Sequence, residues 1–265
     1  VTLKRAVDPT TTLLLAAHGS SRPGGHNPVR ELARQLNKLD LFANVLCGFL
    51  KESPFLSQAL YQVATPNLTV VPMMSGHGYI SDEMIPRALR AVSSATTVHQ
   101  CPPLGTAEKI PAIMAMRVQS VIGEQNLDLD RISILVAAHG NKKNPRNARQ
   151  ATAIASQIET LMNGVETRAA FIEEAPLISD WAKITKGDHL IVLPYLIGGG
   201  LHGAEDIPEM LGIETHDPGF SQLGEAPCAD PISARGRSIW FCQALGREAA
   251  LVDIILNLAS KRSAV

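Results

Sequence analysis

The feature that most constrains the fold is a phrase that occurs twice, a short apolar run ending in His-Gly. The first copy spans residues 13–20 (LLLAAHGS) and the second spans residues 132–141 (ISILVAAHGN). An unbroken apolar run bounded by turn formers is typical of a buried parallel strand. The carboxyl end of such a strand is where open α/β sheets bind ligands. The chain is therefore predicted to contain two copies of one site-bearing unit.

Further landmarks keep the same spacing. In each half, a second strand runs into a glutamate, a third strand runs into a glycine loop with a histidine, and a helix then opens with Ile-Pro. Positions 18, 52 and 85 recur at 139, 174 and 207, an offset of 121 or 122 residues. Alternating strands and helices favour parallel sheets. The predicted fold class is α/β, with two similar lobes, each a parallel sheet flanked by helices.

The repeat also sets the predicted domains. The N-terminal lobe is expected to span residues 1–125 and the C-terminal lobe residues 126–265, joined near a polar stretch at 125–128. The last fifty residues fit the repeat less well, and a terminal helix over about residues 239–258 is predicted to pack the end of the second lobe.

Composition narrows the function classes. A net charge of -1 argues against bulk electrostatic binding of nucleic acid, and an aromatic content of 4% argues against a base-stacking surface. The apolar run that follows Lys4 and Arg5 is too short for a signal peptide, and no stretch approaches the roughly 20 apolar residues of a membrane span. We expect a cytoplasmic protein without nucleic-acid or membrane partners.

The cysteines are widely spread and form no C-x-x-C motif. They are Cys47, Cys101, Cys228 and Cys242. This spacing does not fit a zinc ribbon or a standard iron–sulfur ligand set. We therefore expect reduced thiols and no iron–sulfur cluster.

Each half places a histidine after its first strand, a glutamate after its second and a histidine after its third. These residues are His18, Glu52 and His77 in the first half, and His139, Glu174 and His202 in the second. Ends of parallel strands share one edge of a sheet, so the side chains of each set are expected to converge. Neutral imidazoles with a carboxylate suit a divalent metal such as cobalt, iron, nickel or zinc, and they also suit removal of protons from a ligand.

These motifs resemble the type II tetrapyrrole chelatases. The shared features are Ala-His-Gly-Ser, a glutamate before a small residue and proline, the stretch 200–208 (GLHGAEDIP) and the stretch 102–106 (PPLGT). The chain looks most similar to the CbiX and SirB group, the sirohydrochlorin cobalt- or ferrochelatases of cobalamin and siroheme synthesis. The resemblance covers about residues 12–120 and 132–212. It implies two lobes around a cleft, with His139 and His202 as the metal pair and Glu174 assisting.

The two halves depart from the family pattern differently. His202 lies eight residues after Pro194, whereas His77 lies five after Pro72, so that Ile80 occupies the matching place. We therefore assign the metal to the second half. His18 and Glu52 are retained as further catalytic candidates, and His77 is placed among the residues that contact substrate.

Sirohydrochlorin is a flat macrocycle ringed by acidic side chains, which suggests how it is bound. Basic residues follow both His-Gly phrases and suit those carboxylates; they include Arg22, Lys142 and Arg146. The triglycine of Gly198, Gly199 and Gly200 suits close approach to a planar ring. No Lys-Ser/Thr follows it, which excludes a Walker-type loop, and no nucleotide is expected.

The predicted function is insertion of cobalt or iron, with nickel also chemically acceptable, into sirohydrochlorin or a related tetrapyrrole. The metal is then a substrate, and the catalytic groups are expected among the two histidine and glutamate sets. An alternative is a non-catalytic tetrapyrrole or metal carrier with the same pocket. A histidine-based hydrolase is disfavoured because no G-x-S-x-G motif is present. The sequence leaves open which metal is used and whether the protein is a monomer or a homodimer.

Overall fold

The computed structural model describes residues 8–20, 27–142, 144–198, 205–213, 228 and 230–261. The chain divides into two compact units, of which the first comprises residues 1–107 with 246–265 and the second residues 108–245. Each unit is built around one sheet. Among the described residues, no helix combines the length and the apolar character needed to cross a bilayer.

The first unit contains a four-stranded parallel sheet in the order β2-β1-β3-β4. Its strands are β1 (Thr11–Ala17), β2 (Asn44–Phe49), β3 (Asn67–Pro72) and β4 (Thr97–Gln100). Every residue of β1 is buried. A central parallel strand is covered on both faces, which explains why its sequence is an unbroken apolar run.

Helices cover both faces of this sheet. They are α1 (Pro28–Asn37), α2 (Leu56–Tyr61), α3 (Ile85–Leu89) and, from the far end of the chain, α8 (Leu251–Ser260). A π-helical turn, Ile80–Met84, leads directly into α3, and a short 3-10 turn spans Leu104–Thr106. Asn27 caps α1 by accepting a hydrogen bond from the Val29 N–H, with Pro28 in the first turn, as the sequence predicts.

The second unit repeats this plan and extends it. In chain order its elements are α4 (Ile110–Gln125), β5 (Ile132–Ala138), α5 (Arg146–Leu161), β6 (Thr167–Phe171), α6 (Trp181–Ile184), β7 (His189–Pro194), α7 (Ile207–Leu211), β8 (Ile232–Ala234) and β9 (Arg237–Phe241). Single 3-10 turns precede β5 and α6. The sheet order is β6-β5-β7-β9-β8, and only β8 runs antiparallel to its neighbour.

The two sheets share their register as well as their order. Ala17 lies opposite Phe49 in the first sheet, and Ala138 lies opposite Phe171 in the second. Strands β1 and β5 therefore end level with their neighbours β2 and β6, and the predicted α/β class, with two similar and mainly parallel sheets, is confirmed.

The predicted terminal helix over residues 239–258 is wrong in its first part. Ile239 belongs to strand β9, and the helix begins only at Leu251. The run Ile-Trp-Phe-Cys consists of strand formers, and the turn at Arg235 and Gly236 folds it back on β8. The apolar pattern of β9 is followed by that of α8, so the sequence gives no clear sign of where the strand ends and the helix begins.

The expectation of reduced thiols is also corrected. Cys228 and Cys242 form a disulfide, and an isolated antiparallel bridge pairs their backbones. Chain reversal through β8 and β9 brings these two distant positions side by side. Cys47 and Cys101 are free thiols, and burial raises the pKa of Cys101 to about 12.

Two helices belong to a different unit from the one that the predicted lobes 1–125 and 126–265 assign to them. Helix α4 lies before residue 126 but packs against α5 of the second unit, whereas α8 packs against α1 and β3 of the first. The packing partner of an apolar helix is chosen by surface complementarity, which the repeat in the sequence does not encode.

Candidate active site

His18 follows strand β1 and His139 follows strand β5, and the two imidazoles make the same contact. Nδ1 of His18 lies 3.0 Å from the carbonyl oxygen of Gly19, and Nδ1 of His139 lies 3.0 Å from that of Gly140. A carbonyl oxygen only accepts, so Nδ1 carries the proton in the neutral ring and Nε2 carries the lone pair. This is the tautomer that presents Nε2 to a metal ion or a proton.

The glycines make these turns possible. Gly19 has φ +76° and Gly140 has φ +71°, in the left-handed region that side chains disfavour. A Cβ on Gly140 would also lie 2.9 Å from Oε1 of Glu174. The His-Gly pair is therefore needed for the backbone to turn sharply against a glutamate.

In each unit, the glutamate that follows the second strand binds the loop that carries the histidine. Oε1 of Glu174 accepts a hydrogen bond from the Asn141 N–H at 2.5 Å, and Oε1 of Glu52 accepts one from the Ser20 N–H at 3.0 Å. In each unit the glutamate therefore contacts the loop that carries the histidine, while convergence of the three predicted side chains remains a prediction. Oxygens that the sequence assigned to proton uptake are engaged in holding the loop.

Glu52 is anchored further by α1. Its carboxylate accepts hydrogen bonds from Asn27 Nδ2 at 2.6 Å and from Arg30 Nη2 at 2.9 Å. Burial acts to raise the pKa of Glu52, but the hydrogen bonds from Arg30, Asn27 and Ser20 outweigh it and hold that pKa below its ordinary value. Glu52 is therefore an ionised anchor of the loop and poorly suited to take up a proton.

Sequence reasoning missed a second carboxylate beside His139. Glu173 is exposed, and its Oε2 lies 3.9 Å from Nδ1 of His139. Its backbone N–H donates to the His139 carbonyl at 3.1 Å, and the Lys51 N–H donates to the His18 carbonyl at 3.0 Å. Lys51 thus holds the first-unit place of Glu173. The signal was present in the sequence as Lys-Glu in one half and Glu-Glu in the other.

His77 is oriented by a carboxylate rather than by a carbonyl. Its Nδ1 lies 2.9 Å from Oδ1 of Asp82, which also accepts a hydrogen bond from the Ser81 hydroxyl. Asp82 belongs to the π-helical turn, and such turns are frequent at functional sites. His77 is exposed, and its Nδ1 faces a carboxylate oxygen that can only accept, as Nδ1 of His18 and His139 faces a carbonyl oxygen.

The residues predicted to contact substrate are only partly described. Lys142 and Arg146 are exposed after β5, as a role in pairing with carboxylates requires. Gly198 is exposed, and a Cβ there would meet no atom of the described residues within 4 Å. The remaining predicted residues lie outside the described part of the chain; they are Arg22, Gly199, Gly200 and His202.

The metal-binding prediction depends on one of those residues. Within the described ranges, no three His, Cys, Asp or Glu side chains are grouped so as to hold a metal ion. In the second unit the described members of the predicted metal set are His139 and Glu174, and Oε1 of Glu174 accepts the hydrogen bond from the Asn141 N–H. The predicted partner His202 follows β7 outside those ranges.

The chain is similar to known chelatases along almost its whole length. A curated relative from Halobacterium salinarum, named a probable sirohydrochlorin cobaltochelatase, is 27% identical over 275 residues, which cover 95% of this chain and 91% of the relative. Among solved structures, the sirohydrochlorin chelatase SirB of Bacillus subtilis subspecies spizizenii, determined in complex with cobalt, has a TM-score of 0.68 and 14% identity over 95% of this chain and 94% of SirB.

A larger protein contains the same fold. The structure of a multi-domain protein from Deinococcus radiodurans, described as similar to chelatases, has a TM-score of 0.71 and 20% identity over 97% of this chain. This chain spans 56% of that protein. The CbiX family model matches residues 12–121 and again residues 133–262, which confirms the resemblance of both halves. The chain therefore belongs to the CbiX family.

Proposed function

We propose that this protein inserts a divalent metal, cobalt or iron, into sirohydrochlorin or a closely related tetrapyrrole. The observation that carries the proposal is the pairing of His139 Nδ1 with Glu173 Oε2, 3.9 Å apart, at the end of the interior strand β5. This pairing occurs in a chain that belongs to a family of chelatases. The name of the Halobacterium salinarum relative supports cobalt.

Metal insertion exchanges two pyrrole N–H protons for one divalent cation. The reaction needs a ligand that presents the metal and then releases it, and it needs groups that accept the protons. Nε2 of His139 suits both tasks in the tautomer that its turn imposes. Glu173 places a carboxylate oxygen 3.9 Å from Nδ1 of the same ring. His202 is proposed as the second imidazole.

The first unit suits substrate binding better than metal insertion. Lys51 stands there in the place of Glu173, so this position carries an ammonium group instead of a carboxylate. An exposed ammonium group does suit the carboxylates that ring sirohydrochlorin, as do those of Lys142 and the guanidinium of Arg146. The proposed division of labour places the metal in the second unit and substrate contacts in both.

The proposal is tested by anaerobic incubation of the protein with sirohydrochlorin and Co²⁺, Fe²⁺ or Ni²⁺, while the absorption spectrum of the macrocycle is followed. His139→Ala should slow insertion by about 100-fold or more, because it removes a ligand and a proton acceptor together. His99→Ala, at a histidine on strand β4, is the matched control and should remain close to the native rate.

The same experiment separates an enzyme from a carrier. A carrier would bind sirohydrochlorin at a fixed ratio, and its presence would leave the rate of metal insertion at the uncatalysed value for every metal. That result would replace the proposed activity by tetrapyrrole binding alone.

A further inference from the structure

A cavity of about 650 Å³ opens in the first unit, between the start of α2 and the segment formed by the π-helical turn and α3. Its apolar lining includes Phe49, Phe55, Tyr79 and Met84. This volume falls within the range of roughly 300–1,000 Å³ that is typical of small-molecule sites. None of the predicted catalytic or substrate-binding residues lines it, although Asp82, the hydrogen-bond partner of His77, does.

The cavity concentrates aromatic surface in a chain that has little of it. The sequence contains 6 Phe, 3 Tyr and 2 Trp, and three of these eleven aromatic residues line the cavity. Phe55 is 45% exposed, Tyr79 62% and Met84 36%. Burial of apolar surface stabilises a protein by about 25 cal/mol for each Å², and these side chains leave that stabilisation unrealised. Exposed apolar groups gathered in a concave site are typical of ligand binding.

The lining carries two guanidinium groups that can pair with an anion. Arg87 and Arg90 both line the cavity, and neither has an ion pair or hydrogen-bond partner through its side chain among the described residues. Two carboxylates also line it. Asp82 accepts hydrogen bonds from Ser81 and contacts His77 but keeps its negative charge, so Asp82 and Glu83 both oppose an incoming carboxylate and the two arginines must outweigh them.

We propose that this cavity binds an aromatic carboxylate. The flat apolar body packs on Phe55, Tyr79 and Met84, and the carboxylate pairs with the guanidinium groups of Arg87 and Arg90, whose planar fork matches its geometry. A carboxylated tetrapyrrole and a smaller aromatic acid share this chemistry. The site rests on the lining of the first unit and not on the proposed metal insertion.

The test uses two fluorescent probes on the full chain, 1-pyrenebutyrate as a small aromatic acid and uroporphyrin as a carboxylated tetrapyrrole. Exposed charge-assisted pairs contribute modestly, so Arg87→Ala and Arg90→Ala should each raise the Kd of pyrenebutyrate about three- to tenfold. Glu83→Gln should lower that Kd about twofold, because it removes one of the two opposing charges. Arg34→Gln, at an exposed arginine of α1 in the same unit, should change it less than twofold.

Competition identifies the source of the ligand. If uroporphyrin displaces pyrenebutyrate and Arg87→Ala weakens both, the cavity accepts tetrapyrroles; if uroporphyrin does not compete, the occupant is a smaller aromatic acid. His139→Ala should leave pyrenebutyrate binding unchanged, even if the proposed metal insertion proves wrong. Absence of saturable pyrenebutyrate binding, or equal Kd values for the Arg87, Arg90 and Arg34 variants that keep native circular dichroism, would overturn the site.

Discussion

The adjacent glutamates of the second unit should separate catalysis from stability. In Glu174→Gln the amide oxygen still accepts from the Asn141 N–H, but the acceptor loses its charge. Hydrogen bonds to charged groups contribute about 1.5–3 kcal/mol and neutral ones about 0.5–1.5 kcal/mol, so the expected loss of stability is about 1 kcal/mol. If that whole loss fell on the active conformation of the His139 loop, insertion would slow about fivefold.

Glu173→Gln should show a different pattern. Its carboxylate is exposed and makes no short hydrogen bond to His139, since the two atoms are 3.9 Å apart, so stability should change by less than about 0.5 kcal/mol. Exposed pairs of this kind contribute about 0.2–1 kcal/mol. Insertion should therefore slow by no more than about fivefold.

Both variants are measured by the anaerobic insertion rate with sirohydrochlorin and by urea unfolding. The decisive comparison is the rate loss per unit of lost stability in Glu173→Gln and Glu174→Gln. A rate loss of tenfold or more in Glu174→Gln at native stability, with Glu173→Gln near the native rate, would show that Glu174 is the proton acceptor and that its loop-holding role is secondary.

Three further predictions concern the Glu52 carboxylate, two glycines, and the histidines His77 and His202. The pKa of Glu52 is lowered in the folded protein, so the ionised carboxylate stabilises the fold above its unfolded pKa near 4.5. This stabilisation is lost as the pH falls through the folded pKa. The native protein should therefore have a higher Tm than Glu52→Gln near neutral pH, and the two Tm values should become equal in acid. Gly105→Ala places a Cβ 2.1 Å from a backbone oxygen and should lower the free energy of unfolding in urea by about 3 kcal/mol. Gly123→Ala, which has open space in helix α4, should raise it by about 0.5–1 kcal/mol. Equal effects of the two substitutions would contradict this reasoning. His202→Ala should remove most insertion activity and His77→Ala only part; the reverse order would move the metal site to the first unit.

The sequence predicts the parts of this structure that depend on neighbouring residues. Apolar runs set the strands, the Asn27-Pro28 pair starts α1, and the 121–122 residue offset reproduces the register of both sheets. The histidine turns were predictable for the same reason, because His-Gly directly after a buried strand has few ways to continue.

What the sequence could not supply depends on side-chain direction and distant packing. Glu173 and Glu174 are chemically identical neighbours. Only the structure shows that the carboxylate of Glu174, and not that of Glu173, packs against Gly140 in the histidine loop. The pairing of Cys228 with Cys242 depends on a chain reversal that involves β9, a strand whose apolar pattern merges with α8. Neither feature leaves a local spacing signal.

The placement of α8 has a consequence for the order in which the protein can fold as it is synthesised. Residues 108–245 form a continuous unit, whereas the first unit needs α8, whose buried residues pack against β3 and α1 from a position after residue 245. A ribosome releases the first sheet early but supplies its last helix only after the second unit has emerged. The unit that comes first in the chain is therefore the last that can be completed.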